Sequence, residues 1–350
     1  MDKIAVLRAN AVGDYIFALP ALDALRSAYP RAEIVLLGAP WHARFLTGRP
    51  GPVDRVVELP PLPGVRDPGP GERPGDADRF LAALREERFD LALQLHGGGR
   101  HTNPLVAGLG ARITAGLRAP DAAPLDRWIR YVYYQPEVFR YLEVVGLVGA
   151  RPVGYHPVLE LTDDDRKAAA AVIPDGDRPL VVLHPGATDA RRRWPAERFS
   201  AVGDALPADI LVTGTGPERE LVERIVAGMR RPARALVDAL PLGGFAALLS
   251  RAAVVISNDT GPVHLAEAVG APTVGLYWVG NLINGAPADR ARHRPMISWT
   301  IHCPECGEDC TRDLYPARAG GTGCSHSPSF VADIPVVEVV AAAQELLGEA

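Results

Sequence analysis

The chain has 350 residues, 47% hydrophobic and 23% charged, which is long for one globular domain and enough to bury two cores. A formal net charge of −5 excludes a broadly basic nucleic-acid surface. No apolar run approaches the roughly 18 residues of a membrane span, and Met1-Asp2-Lys3 leads into a strand-like run without a signal-peptide pattern, so the expected location is the cytoplasm.

Residues 4–7 are wholly apolar and read as a buried strand, followed by a loop and a helix over 16–28 that Pro30 ends. A strand over 33–38 comes next, and then a Pro- and Gly-dense stretch, 51–75, that reads as a long surface loop. A helix over 78–87 and a strand over 91–95 follow. Residues 112–130, with several arginines and Trp128, read with Tyr131, Tyr133 and Tyr134 as a packed helix with a charged face. Residues 162–171 form a helix capped by polar residues, which ends before the turn chemistry of Pro174-Asp175-Gly176-Asp177. The rhythm then restarts, with strands over 180–183, 210–213, 254–257 and 273–277 and helices over 196–205, 218–229, 243–251 and 263–269. A last helix covers 336–347. Short buried strands alternating with amphipathic helices imply an α/β chain with parallel sheets covered on both faces. Two doubly wound, Rossmann-like domains are expected, 1–160 and 161–350, with a cleft where the carboxyl ends of their strands face each other.

The candidate residues all follow strands. In Asn10-Ala11-Val12-Gly13-Asp14, Gly13 permits a sharp turn and a close approach of the backbone to a donor, and Asp14 either accepts a proton from an attacking hydroxyl or caps the helix behind it. His96-Gly97-Gly98-Gly99-Arg100-His101 follows the strand at 91–95, so His96 and Arg100 either line an acceptor pocket or belong to a flexible turn. In the second half, His184-Pro185-Gly186-Ala187-Thr188 precedes Arg191-Arg192-Arg193-Trp194-Pro195, which offers a backbone nest, a hydroxyl and positive charge to a diphosphate. Three adjacent arginines cannot all serve one ligand. Thr213-Gly214-Thr215-Gly216-Pro217-Glu218 places Glu218 either at a ribose or at a helix start. Ser257-Asn258-Asp259-Thr260-Gly261-Pro262-Val263-His264 runs from a buried strand into a helix whose N-terminus favours phosphate. Asp259 or Thr260 could instead cap that helix, and His264 could be a core histidine bonded to a carbonyl.

Taken together and in order, "VLRANAVGDYIFALPALDALRSAYPRAEIVLL", "VVLHPGATDARRRWPAERF" and "LLSRAAVVISNDTGPVHLAEAVGAPTVGLYW" resemble glycosyltransferase family 9, the bacterial heptosyltransferases, over nearly the whole chain. The resemblance implies the GT-B architecture, two facing Rossmann-like domains with an N-terminal acceptor domain and a C-terminal donor domain. It implies inverting transfer without a catalytic metal or other cofactor, from a nucleotide-diphosphate sugar, ADP-heptose, to a hydroxyl acceptor. Asp14 matches the family's general base beside Gly13, and Thr188 a residue near the donor diphosphate. Arg192 stands where a Lys is usual, keeping the charge but exchanging a point charge for a fork. Asp259, Thr260, Gly261 and His264 match the motif that holds diphosphate and donor sugar, and Glu218 a position at the ribose. A saccharide, a protein side chain or a small molecule would each serve as acceptor, with no nucleic acid and no transmembrane segment involved. Another nucleotide-activated sugar, or a catalytically silent nucleotide-sugar-binding protein, are the competing readings. A dehydrogenase lacks its glycine fingerprint.

All four cysteines fall in the segment 302–326, as Cys303, Cys306, Cys310 and Cys324, enough for a structural tetrahedral site of zinc, or iron. His302 and His326 adjoin it as substitutes for one ligand, and a set of reduced thiols without metal is the alternative.

Overall fold

The computed structural model describes residues 1–69, 71–173, 177–311 and 324–348. The chain divides into two compact units, Met1–Glu160 and Leu161–Ala350. The turn expected at Pro174-Asp175-Gly176 lies outside the described residues.

In the first unit, β1 (Lys3–Leu7), β2 (Glu33–Gly38), β3 (Arg55–Glu58), β4 (Leu91–Gln94), β5 (Ile113–Arg118) and β6 (Arg127–Arg130) form one sheet in the order β3-β2-β1-β4-β5-β6. Every pairing is parallel. The helices are α1 (Val12–Ala28), α2 (Pro40–Leu46), α3 (Ala77–Arg85), α4 (Thr102–Gly108) and α5 (Glu137–Gly146). The central strands are apolar throughout because both sheet faces are covered, as the burial of Ile4 and Val6 on one face and of Ala5 and Leu7 on the other shows.

The second unit repeats the plan. Its strands are β7 (Leu180–His184), β8 (Asp209–Gly214), β9 (Ala233–Val237), β10 (Val254–Asn258), β11 (Thr273–Trp278) and β12 (His293–Ser298), in the order β12-β11-β10-β7-β8-β9. All are parallel again. Its helices are α6 (Asp163–Ala170), α7 (Ala196–Ala205), α8 (Arg219–Gly228), α9 (Leu242–Ser250), α10 (Gly261–Ala268), α11 (Val279–Gly285) and α12 (Val336–Leu347). Counted from its own first strand, this is the same doubly wound order, so each sheet reverses winding once, between β1 and β4 and between β7 and β10. Such reversals open a crevice at the strands' carboxyl ends.

Two expectations need correction. Residues 112–130 are not a helix but the strands β5 and β6, because Ile113 and Thr114 are β-branched and Pro120 breaks any helix between them. The loop expected over 51–75 contains β3, which extends the sheet edge beside β2. Among the described residues no helix is long and apolar enough to cross a membrane.

Candidate active site

Asp14 sits in the first turn of α1, after the reversal-point strand β1. The helix-start reading of it holds. Its Oδ2 accepts the Ala11 backbone N–H at 3.1 Å, as a helix-start acceptor would, while its Oδ1 accepts from Arg8 Nη2 at 2.6 Å. A carboxylate has about four lone-pair sites, so each oxygen can still take a proton from a third group. Asp14 keeps a third of its side chain exposed, whereas Arg8 keeps only 3%.

Arg8 is the residue that sequence reasoning missed here. Its Nε donates to the Asp14 carbonyl at 3.1 Å and its Nη1 to the Leu95 carbonyl at 2.7 Å, so it fastens the loop after β1 to the loop after β4. His96, in that second loop, joins the same cluster by accepting the Ala9 N–H on Nδ1 at 3.2 Å. Burial first, then the charge of Arg8, pushes His96 down to about 3, so it is neutral at physiological pH. Behind Arg8 lies Glu137, which accepts from Tyr141 and Arg140 and has an oxygen 3.9 Å from Arg8. Burial pushes Glu137 up, helped by Asp14 and opposed by Arg140 and Arg8. Arg100 is not part of this cluster; it is exposed and faces Asp121 at 3.5 Å.

The second unit builds its cluster at the matching reversal point. Asn258, at the end of β10 and fully buried, donates Nδ2 to the Pro185 carbonyl at 2.7 Å and accepts the Trp194 N–H on Oδ1 at 3.1 Å. That one side chain ties the loop after β7 to β10. The three arginines then separate. Arg191 pairs with Asp189 at 2.6 Å, Arg193 donates to the Ala187 carbonyl at 2.8 Å, and Arg192 alone turns to the loop after β10. There Arg192 Nη1 donates to the Asp259 carbonyl at 3.1 Å and to its Oδ2 at 3.3 Å.

Asp259 is only 5% exposed and does not project outward. Its carboxylate accepts from Arg192, from Asn281 Nδ2 at 2.6 Å and from His264 Nε2 at 3.2 Å. Burial opposes its charge, but the bond from His264 and the charges of His264 and Arg192 hold it below the usual carboxylate range. His264 meets two carboxylates, with Nδ1 3.5 Å from Glu267 as well as Nε2 on Asp259. Burial works against its charge, yet Asp259 and Glu267 push it up to about 9. Through its Oδ2, Asp259 orients the Arg192 guanidinium.

Thr260 stands at the N-cap of α10 in extended conformation without a side-chain cap bond, and Gly261 opens the helix. Thr188 is exposed and Gly13 buried. Glu218 accepts from Thr215 N–H at 2.8 Å and Thr215 Oγ1 at 2.9 Å, which is the helix-start reading. Its carboxylate lies over Gly186, where an added Cβ would meet Glu218 Oε1 at 1.8 Å and push the carboxylate aside. Arg8, Glu137 and Asn281 carried no motif; a charge directly after the buried run of β1 was the one signal for Arg8.

The cysteines split. The ligating atoms of Cys303, Cys306, Cys324 and His326 all lie within 4.8 Å of one another. Cys310, counted as a ligand on spacing, lies outside this set, is buried, and donates to the Glu308 carbonyl at 3.4 Å. His302 instead bridges to Asp309.

The model of glycosyltransferase family 9 (heptosyltransferase) matches residues 78–303. Lipopolysaccharide heptosyltransferase 1 of Pseudomonas aeruginosa is 29% identical over 316 residues, covering 87% of this chain and 86% of that protein. A family 9 glycosyltransferase structure from Veillonella parvula superposes with a TM-score of 0.76 at 21% identity, over 100% of this chain and 98% of that one. The structure of Escherichia coli ADP-heptose lipopolysaccharide heptosyltransferase II gives 0.74 at 17% identity, over 100% and 99%. These likenesses show the GT-B fold. The family match spans well over half of the residues, and with it the chain belongs to glycosyltransferase family 9, the heptosyltransferases, and is a glycosyltransferase.

Proposed function

We propose that this enzyme moves heptose from ADP-heptose to a hydroxyl of a lipopolysaccharide-core saccharide, with inversion and without a catalytic metal. The relatives' names support the donor and acceptor. The observation that carries the chemistry is Arg192, aimed by the buried Asp259 at the N-terminus of α10. A guanidinium and a helix N-terminus at a sheet reversal point suit a diphosphate leaving group. In this reading Asp14 takes the proton from the acceptor hydroxyl. The oxygen attacks the anomeric carbon opposite the ADP, the bond to the diphosphate breaks, and Arg192 and the first turn of α10 take the developing charge. Thr188, Thr260 and Gly261 contact the diphosphate, Glu218 the ribose, and His96 lines the acceptor side. Residues 1–160 bind the acceptor and 161–350 the donor, in the cytoplasm. Any metal on the cysteine segment is structural.

Calorimetric titration with ADP, GDP, UDP and ADP-heptose, repeated in EDTA, tests this. Binding confined to the adenine nucleotides and unchanged by EDTA is the expected result. Preference for UDP or GDP would move the function to another sugar, and no nucleotide binding by folded protein would overturn the reading.

A further inference from the structure

The cysteine segment lies under the stretch of chain that carries Arg192. Cys303 and Cys310 belong to the hydrophobic core of the second unit together with Trp194, Trp278, Phe330 and Ile334. The Phe330 N–H donates to the Arg191 carbonyl at 2.7 Å, and the Arg191 guanidinium sits 5.7 Å over the Phe330 ring. The Trp194 indole N–H donates to the Ile334 carbonyl at 3.1 Å. Residues 189–194 thus form a strap whose underside is the limb 324–334.

Four observations make the cysteine group a built ligand set rather than a loose cluster. The first is its tightness: Cys306 Sγ lies 3.6 Å from Cys324 Sγ, and Cys324 Sγ 3.7 Å from His326 Nδ1. Ligands at zinc distances on a tetrahedron stand about 3.5–3.8 Å apart, while a disulfide would need about 2.05 Å. Second, the backbone N–H groups of Cys306 and Glu305 are directed at the Cys303 sulfur, and that of Glu308 at the Cys306 sulfur. Third, the chain between Cys303 and Cys306 folds back on itself, with Gly307 N–H donating to the Cys303 carbonyl at 2.9 Å and Gly307 at φ 75°, a left-handed position suited to glycine. Fourth, His326 has its other nitrogen, Nε2, 3.7 Å from Glu305, so that Nδ1 is left for an ion and a carboxylate orients the ring from behind.

We propose that Cys303, Cys306, Cys324 and His326 hold one tetrahedral metal ion, zinc by ligand type, and that this ion fixes the strap presenting Arg192 to the donor. The ion joins the limb after β12, with Cys303 and Cys306, to the limb after the segment 312–323, with Cys324 and His326. Closing that span by one ion removes chain freedom that the polypeptide alone would retain. Three thiolates on a divalent cation leave one net negative charge. Arg191, whose guanidinium interacts electrostatically with Cys310 and Cys324, stands beside it as counter-charge. The next residue in sequence is Arg192. The role assigned to the strap rests on the donor reading above; the ligand set does not.

The test begins with the metal content of purified full-length protein and of the Cys324→Ser, His326→Ala and Cys310→Ala variants. One ion per chain is expected in the wild type and in Cys310→Ala, and loss of the ion in the other two. Cobalt in the stripped protein should give the intense visible bands of a tetrahedral thiolate site. If the ligand variants do not fold, chelation of the wild type replaces them. Two readouts then follow: hydrogen exchange of the backbone over residues 189–194, and ADP affinity by calorimetry. Stripping the ion should speed exchange there and weaken ADP about tenfold, and should leave the already weak ADP binding of Arg192→Ala unchanged. Absence of metal, a Cys306–Cys324 disulfide, or loss of metal in Cys310→Ala would each overturn the ligand set. Metal binding with unaltered exchange and ADP affinity after stripping would overturn the strap role. No ADP binding in any form, with the ion present, would count against the donor reading and leave the site standing.

Discussion

Arg192 is the middle one of three arginines, and its neighbours are engaged elsewhere, Arg191 with Asp189 and Arg193 with a carbonyl. Replacing Arg192 by Ala therefore removes one charge from the donor site without freeing another to take its place. We expect Arg192→Ala to lower the transfer rate by roughly 10²–10³-fold, the usual cost of one charge-stabilising group. ADP affinity should fall as well, read by calorimetry. Arg192→Lys should recover part of both, since Lys keeps the charge and loses the fork. His264 makes a different prediction. Its folded value of about 9 lies above the ordinary imidazole value of about 6.5. A raised value means that the folded state binds the proton more tightly than the unfolded chain. The ion pair to Asp259 and Glu267 thus contributes in full below about pH 6.5 and is lost as pH rises through about 9. The melting-temperature gap between wild type and His264→Gln should be widest near pH 6 and shrink steadily towards pH 10. A gap independent of pH would mean that His264 is neutral in the folded protein.

At the scale of elements, what could be read from the sequence depended largely on position in the sheet, with the interior strand β5, read as part of a helix, as the exception. Interior strands such as β1, β2, β7 and β10 are buried on both faces, so each is an unbroken apolar run that needs no periodicity to be recognised. All four edge strands escaped. β3, β6, β9 and β12 mix Arg, His or Glu with Val, Trp, Leu and Ile and are only partly buried. Charges on an edge discourage pairing with another chain, and the same charges hide the strand from a search for apolar runs. The loops were legible as glycine- and proline-rich turns after strands, but not the side chains that tie them together. Asn258 is the clearest case: its two bonds join residues 73 and 64 positions away in sequence. Asn258→Ala leaves the buried Pro185 carbonyl and Trp194 N–H without these partners, which should cost about 2–4 kcal/mol at the usual penalty for unsatisfied buried groups. Denaturant unfolding measures that loss. Because the same bonds set the loop that leads to Arg192, ADP affinity should drop along with stability. A destabilised protein with unchanged ADP affinity would show that the donor loop holds its shape without this tie.

At the scale of the whole molecule, the restart of the strand–helix rhythm after residue 171 announced two units, and each unit places its candidate groups at its own sheet reversal. The reversal itself was not legible, because strand order depends on which buried runs lie side by side, and those runs are chemically alike. Nor were the supports of Asp14: Arg8 reaches Leu95 and Glu137 across most of the first unit. With Asp14 in the first unit and Arg192 in the second, the proposed base and the proposed leaving-group residue can be separated by experiment. Asp14→Ala removes the proton acceptor and should lower transfer by roughly 10²–10⁴-fold, the range of a lost general base. It should leave ADP affinity within about twofold, because the side chains proposed to hold the donor all belong to the second unit. The variant should also stay folded. Arg8 keeps its bond to the Leu95 carbonyl and its proximity to Glu137, and the Ala11 N–H at the exposed start of α1 can turn to water. Melting curves check that point before any rate is interpreted. Retained transfer in a folded Asp14→Ala protein would remove Asp14 as the base. ADP weakening as large as that of Arg192→Ala would instead place Asp14 among the groups that hold the donor.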